Sequence, residues 1–139
     1  MTPHEYKFRV KYSETDKMGF VHHSNYVKYY ENARWETMRQ LGIPYSTIES
    51  KGIFMPVIKL ESKFIKPAFY DDELTVTTTI KELSSVKISF QFNISNSSGN
   101  IINNAMVSCA FIDSESHKVR RTPEFILEKL KKSTELYPV

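Results

Sequence analysis

The sequence predicts an α+β fold in which a five-stranded antiparallel sheet wraps around one long central helix. In five separate stretches apolar and polar residues alternate with a period of two, the pattern of half-buried strands. One segment, from about Ser24 to Leu41, carries Tyr26, Val27, Tyr29, Tyr30, Ala33, Trp35, Met38 and Leu41, more than a single helical stripe accounts for, so it is expected to be largely covered. At 139 residues the chain fits one domain (1–139) able to bury roughly two-thirds of its unfolded surface.

The elements follow in order. Tyr6, Phe8, Val10 and Tyr12 alternate with Lys7, Arg9 and Lys11 as a first strand, and a loop holding Asp16 and Gly19 comes next. Ser24 or Asn25 can cap the helix, which runs for roughly five turns until Gly42 and Pro44 stop it. A short second helix is expected over 45–51. Four strands then follow, around Ile58–Phe64, Leu74–Ile80, Val86–Ile94 and Ala105–Phe111, with turns at Pro67 to Asp72, at Ser84-Ser85 and over 96–100. Their outward positions are mostly Lys, Thr, Ser, Gln and Asn, so the sheet has one buried face, and the 24–41 helix is the element expected to cover it. A last helix begins near Pro123 with Phe125, Ile126, Leu127 and Leu130 as its apolar side. Tyr29, Tyr30 and Trp35 are surplus to what one protomer can bury, which predicts pairing of protomers through a sheet edge and the helix flank.

Composition narrows the function classes. No apolar run approaches the roughly 18 residues of a membrane span, and the opening MTPHEYKFRV lacks the apolar core of a secretory signal, so a cytoplasmic location is expected. A net charge of +3 leans weakly towards anionic partners, but the cations are interleaved with acids and form no basic run, which argues against nucleic acid. Cys109 lies in the apolar run AMVSCAFI and reads as a small core residue.

Chemistry concentrates between Tyr12 and Arg34. An Asp in a loop before a helix usually caps a turn. Here Thr15 and Gly19 shape the loop, and His22, His23, Ser24 and Asn25 crowd the helix start with more polar groups than a cap needs. Asp16, His22 and His23 lack a metal-ligand spacing, and no metal is expected. A triad using Ser24 would have to fit within nine residues of one loop, without the glycines of a nucleophile elbow. A single carboxylate beside a helix N-terminus suits thioester hydrolysis. A thiol pKa of about 8.5 makes the thiolate a good leaving group without a dedicated acid. Asp16 would attack the carbonyl or activate water, while helix N–H groups hold the oxyanion, with no cofactor.

The stretch Thr15-Asp16, Gly19, Val21, His22 or His23, Tyr26 and Tyr30-Glu31-Asn32-Ala33-Arg34 closely resembles the active-site motif of the 4-hydroxybenzoyl-CoA thioesterase family, in its YbgC-like acyl-CoA thioesterase branch of the hotdog-fold superfamily. Chain length, the helix after the first strand and Phe64 to Pro67 ahead of an acidic turn agree, so the resemblance spans nearly the whole chain. It implies that Asp16 is the catalytic carboxylate, that the His23 backbone N–H faces the thioester oxygen, and that Tyr12 lines the site. Gly19, Val21, His22, Asn25 and Tyr26 complete the substrate-binding set, and the assembly implied is a homodimer or homotetramer with the site at the subunit interface. Lys17-Met18 depart from the Gly or Ala frequent in that branch. Glu31, three residues before Arg34 on the helix, is the alternative working carboxylate, though an ion pair accounts for the spacing as well. Lys59, Lys63 and Arg121, with Lys66, Lys87 and Arg120, are candidates for the CoA phosphates. The expected substrate is an acyl-CoA. The alternatives are acyl carrier protein thioesters, dehydration of a hydroxyacyl thioester, or an acyl-thioester binder or scaffold without catalysis.

Overall fold

The computed structural model describes residues 3–135. In chain order its elements are β1 (His4–Arg9), α1 (Asn25–Gln40), α2 (Tyr45–Ser50), β2 (Ile53–Phe54), β3 (Val57–Phe64), β4 (Glu73–Leu83), β5 (Ile88–Ser95), β6 (Ile101–Cys109), β7 (Phe111–Asp113), β8 (Val119–Arg120) and α3 (Glu124–Glu135). Five strands form one antiparallel sheet in the order β1-β4-β5-β6-β3, and β2, β7 and β8 form a second, small one. Alternation places Leu74, Val76 and Ile80 of β4, Phe90, Phe92 and Ile94 of β5, and Ala105 and Val107 of β6 on one face, all buried. That face packs on α1.

The helix is shorter than its sequence pattern suggests. It has 16 residues, about 24 Å, and it buries one stripe: Tyr26, Tyr29, Tyr30, Ala33, Arg34, Thr37 and Met38 recur at spacings of three and four. Val27 (47% exposed) and Trp35 (37%) lie off that stripe, so the expectation of a largely covered helix is corrected, as is that of a surplus of Tyr29 and Tyr30, which are each 2% exposed within the one protomer. Trp35 stacks on Tyr45 of α2 instead, with ring centroids 6.1 Å apart. The expected side-chain cap is also absent. Ser24 occupies the cap position without bonding the helix, because its hydroxyl meets His22 Nδ1 at 2.9 Å, and the Asn25 amide turns back to the Glu14 carbonyl at 2.8 Å.

Nor does α1 cover the sheet by itself. Ile126 and Leu130 of α3 are fully buried and α3 packs on β4, tied in by Thr122, whose N–H and hydroxyl donate to the Ser85 and Ser84 carbonyls at 2.8 and 2.7 Å. Tyr12, expected in the first strand, instead begins a 3-10 turn, Tyr12–Glu14, because the chain leaves the sheet after Val10. Val86 lies in the β4–β5 turn, and β6 breaks at Ala110 where the chain crosses into the small sheet.

At the open edge, β3 shows its apolar side to solvent: Ile58 is 58% exposed and Phe64 54%. Ser62 is half-buried there and joins Tyr30 and Asn103 in a polar cluster between helix and sheet. Among the described residues no helix is long and apolar enough to cross a membrane.

Truncating the central ring in Phe92→Ala is expected to cost about 3–5 kcal/mol in urea unfolding. Val86→Ala, in the exposed turn, is expected to stay within about 0.5 kcal/mol. A large loss at Val86 would mean that the strand reaches further than the register shows.

Candidate active site

The loop between β1 and α1 folds as a small hairpin. Thr15 bridges Val21, the Asp16 N–H donates to the Phe20 carbonyl at 2.9 Å, and the Gly19 N–H closes the tip on the Asp16 carbonyl at 3.0 Å. Gly19 has φ +83°, which a tip this tight requires and which residues with a side chain adopt at a cost. Asp16, half-buried, uses Oδ1 to accept the Met18 N–H at 2.9 Å, an Asx turn that fixes one carboxylate oxygen. The return limb is pinned on both sides: the Val21 N–H donates to the Ala68 carbonyl and the His22 N–H to the Glu14 carbonyl, each at 2.8 Å.

This hairpin delivers the chain into α1. The Asn25 N–H donates to the His22 carbonyl at 3.0 Å and the Tyr26 N–H to the His23 carbonyl at 3.3 Å. The His23 N–H meets no acceptor among the described residues, and it stands at the positive end of the helix. The two imidazoles lie 4.1 Å apart, both exposed. Beside them a cleft of about 260 Å³ is lined by Phe20, Val21, His23, Tyr26, Phe64 and Lys66, among others. Its wall is aromatic: Tyr26 meets the Phe64 ring edge-on at 5.1 Å, and Phe20 meets Phe69 at 5.5 Å. Burial pushes the Tyr26 hydroxyl above its ordinary pKa, and the Ala68 backbone offsets part of that rise, so the phenol stays protonated.

Of the residues singled out in the sequence, Val21, His23 and Tyr26 line the cleft. Asp16, Gly19, His22 and Asn25 build the hairpin and the helix start beside it. Tyr12 is 76% exposed, stacked edge-on against Tyr70, and does not line the cleft. Lys59 and Lys63 pair in register with Ser108 and Asn104, on the face of the sheet turned away from α1, and Lys59 is bonded to Glu61 at 3.2 Å. Arg121 follows β8, which pairs with β7 beyond the Cys109 end of β6. The cleft lies at the Ile102 end, where Lys66 bonds, roughly 25 Å away along β6. Within one protomer these three cations are therefore not brought to the cleft, whereas Lys66 is. Residue type marked all of them alike; strand parity and the crossover into the small sheet separate them.

Glu31 stands one turn further along α1 and pairs with Arg34 at 3.8 Å, as its spacing predicts. Both line a narrow cleft against Leu60 and Val57 of β3. Arg34 is only 6% exposed and its guanidinium donates to the Cys109 sulfur at 3.0 Å, a contact unread in the sequence. Also unread was Glu14, whose carboxylate accepts the Lys11 N–H at 2.8 Å and the Tyr29 hydroxyl at 3.0 Å.

Residues 10–130 match the model of the Thioesterase-like superfamily. The chain belongs to that family. It is 34% identical over 112 residues to the putative acyl-CoA thioesterase YneP of Bacillus subtilis, covering 81% of each chain. To the acyl-CoA thioester hydrolase YbgC of Escherichia coli it is 30% identical over 123 residues, 88% of this chain and 92% of that one. The solved structure of a DHNA-CoA thioesterase from Staphylococcus aureus superposes with a TM-score of 0.85 at 27% identity, over 99% of this chain and 89% of the other. The five-stranded sheet packed on α1 is thus the hotdog fold of the thioesterases.

Gly19→Ala has open space for its methyl group, so only the left-handed backbone opposes it. The expected loss is about 1–2 kcal/mol by chemical denaturation. A neutral result would show that the tip relaxes out of the turn.

Proposed function

We propose that this protein hydrolyses acyl-CoA thioesters to a carboxylic acid and free CoA, with Asp16 as the working carboxylate. Family membership supports the reaction. The observation that carries the assignment of roles is one hairpin that fixes an Asp16 carboxylate at its tip and leads directly into a helix start whose His23 N–H has no acceptor among the described residues. As the carbonyl carbon is attacked, its oxygen gains charge, and a donor already aimed at that position stabilises it without reorganisation. Asp16 acts as nucleophile, through an anhydride that water then opens, or as base towards water. The thiolate departs in either route, and the chemistry asks for no cofactor or metal.

The aromatic cleft beside His23 suits the acyl group, and Lys66 at its edge suits a CoA phosphate. Homodimerisation belongs to the same reading. The unpaired edge of β3 and its exposed Ile58, Leu60 and Phe64 are a surface that a second copy would cover. Antiparallel pairing about a two-fold axis sets the Phe64 end of one β3 beside the Val57 end of the other, and so closes each cleft with its partner's far end. A tetramer would pair two such dimers, and a cytoplasmic location completes the proposal.

Thiol release from butyryl-, palmitoyl- and benzoyl-CoA, and from the matching acyl carrier protein thioesters, tests it. Asp16→Asn is expected to lower kcat at least about 100-fold while Glu31→Gln stays near wild type. Turnover unchanged in Asp16→Asn, or abolished in a folded Glu31→Gln, would assign the wrong carboxylate. Binding without turnover on every thioester would make the protein a binder. In the same assay Lys66→Ala is expected to raise KM about tenfold with kcat intact, the loss of one charge-assisted contact. An unchanged KM would remove Lys66 from the phosphate site.

A further inference from the structure

We infer that Glu14 and Tyr29 form a positioning pair that fixes the Asp16 hairpin against the start of α1. The pair thereby sets the distance between the attacking carboxylate and the His23 N–H. This rests on Asp16 being the working carboxylate. Glu14 accepts four bonds, from three pieces of chain. Its carboxylate accepts the Lys11 N–H at 2.8 Å, where the chain leaves β1, and the Tyr29 hydroxyl at 3.0 Å, from the second turn of α1. Its carbonyl accepts the His22 N–H at 2.8 Å, from the return limb, and the Asn25 amide at 2.8 Å, from the first turn.

The other anchors of the hairpin do not serve this purpose. Asp16 is held by Met18, which moves with the same tip. Val21 and Phe20 tie the return limb to Ala68 and Phe69, in the connection between β3 and β4, and leave the outgoing limb without a bond to the helix. Only through Glu14 does the outgoing limb bond α1 among the described residues.

Tyr29 is well placed for such a role because its ring is buried among other rings. It is 2% exposed, and the rings of Phe8 and Tyr26 pack on it at 4.4 and 5.6 Å. Burial, with the adjoining Glu14 carboxylate, pushes its hydroxyl pKa up strongly, so it remains a donor at every working pH. A hydroxyl donating to a carboxylate is a charge-assisted bond, stronger than a neutral one. Tyr29 is buried and the Glu14 carboxylate is taken up by the Lys11 N–H and the Tyr29 hydroxyl, so both act through the hairpin and not on substrate.

The test uses the full chain and whichever of butyryl-, palmitoyl- or benzoyl-CoA the wild type turns over fastest. Tyr29→Phe keeps the ring and removes only the hydroxyl. It is expected to lower kcat roughly 10–100-fold, the order that a misplacement of an ångström or less produces, with KM within about twofold and the protein still fully folded under the assay conditions. Glu14→Ala should match it, Glu14→Gln, which keeps an acceptor, should recover most of kcat, and Glu14→Ala combined with Tyr29→Phe should be no slower than Glu14→Ala alone. Wild-type kcat in Tyr29→Phe, equal losses in Glu14→Gln and Glu14→Ala, or losses that follow the unfolded fraction would each overturn the pair. Should Glu14→Ala not fold, Tyr29→Phe and Glu14→Gln decide the matter between them. Asp16→Asn in the same series separates the two ideas. If it turns over normally, the catalytic reading falls and takes the pair with it. If it is inactive while Tyr29→Phe is normal, only the pair falls.

Discussion

The Tyr30 hydroxyl, sealed between α1 and the sheet, bonds Asn103 of β6 and Ser62 of β3, and the position of the helix depends on it. Asn103 and Tyr30 are almost fully buried, so a sliding or turning helix would leave their polar groups without partners in an apolar layer. Such orphaned groups cost about 1–3 kcal/mol each, while the apolar stripe around them could be shuffled more cheaply. Apolar packing therefore supplies the attraction and this cluster supplies the register. The start of α1, one turn before Tyr30, inherits its place from that register, and the hairpin that bonds to it does so in turn.

Much of this arrangement was legible in the chain. Alternation marked each strand of the main sheet, and Gly42 with Pro44 marked the end of α1, because periodicity and turn chemistry are local. The loop was legible as one shaped by Thr15 and Gly19, and the helix start as a place where polar residues crowd. The misreadings share a cause: each depended on what lies across space. Val27 and Trp35 are apolar yet lie off the buried stripe, which only packing reveals. Tyr12 continues the strand alternation in sequence, but the chain has already turned away.

Glu14 and Tyr29 went unread for a related reason. An acid in a turn and a tyrosine on a helix are each ordinary, fifteen positions apart, and nothing local joins them. A tyrosine on the buried stripe whose hydroxyl needs a partner was the available signal, since buried phenols seldom go unbonded. Apart from Asp16, Glu14 is the acid that most closely precedes the helix start, and no local pattern sets it apart.

The buried pairing of Arg34 with Cys109 bears on what happens after the bond is cut. Each proposed turnover liberates a thiol, and a protein with an open cysteine would invite mixed disulfides with its own product under oxidising conditions. The one cysteine of this chain is fully buried, with its thiol pKa pushed up by burial and only partly offset by the guanidinium, so it presents no thiolate to exchange. Burial thus outweighs the pull of Arg34 and keeps the interior chemically silent towards CoA, and the enzyme can accumulate its product without being modified by it.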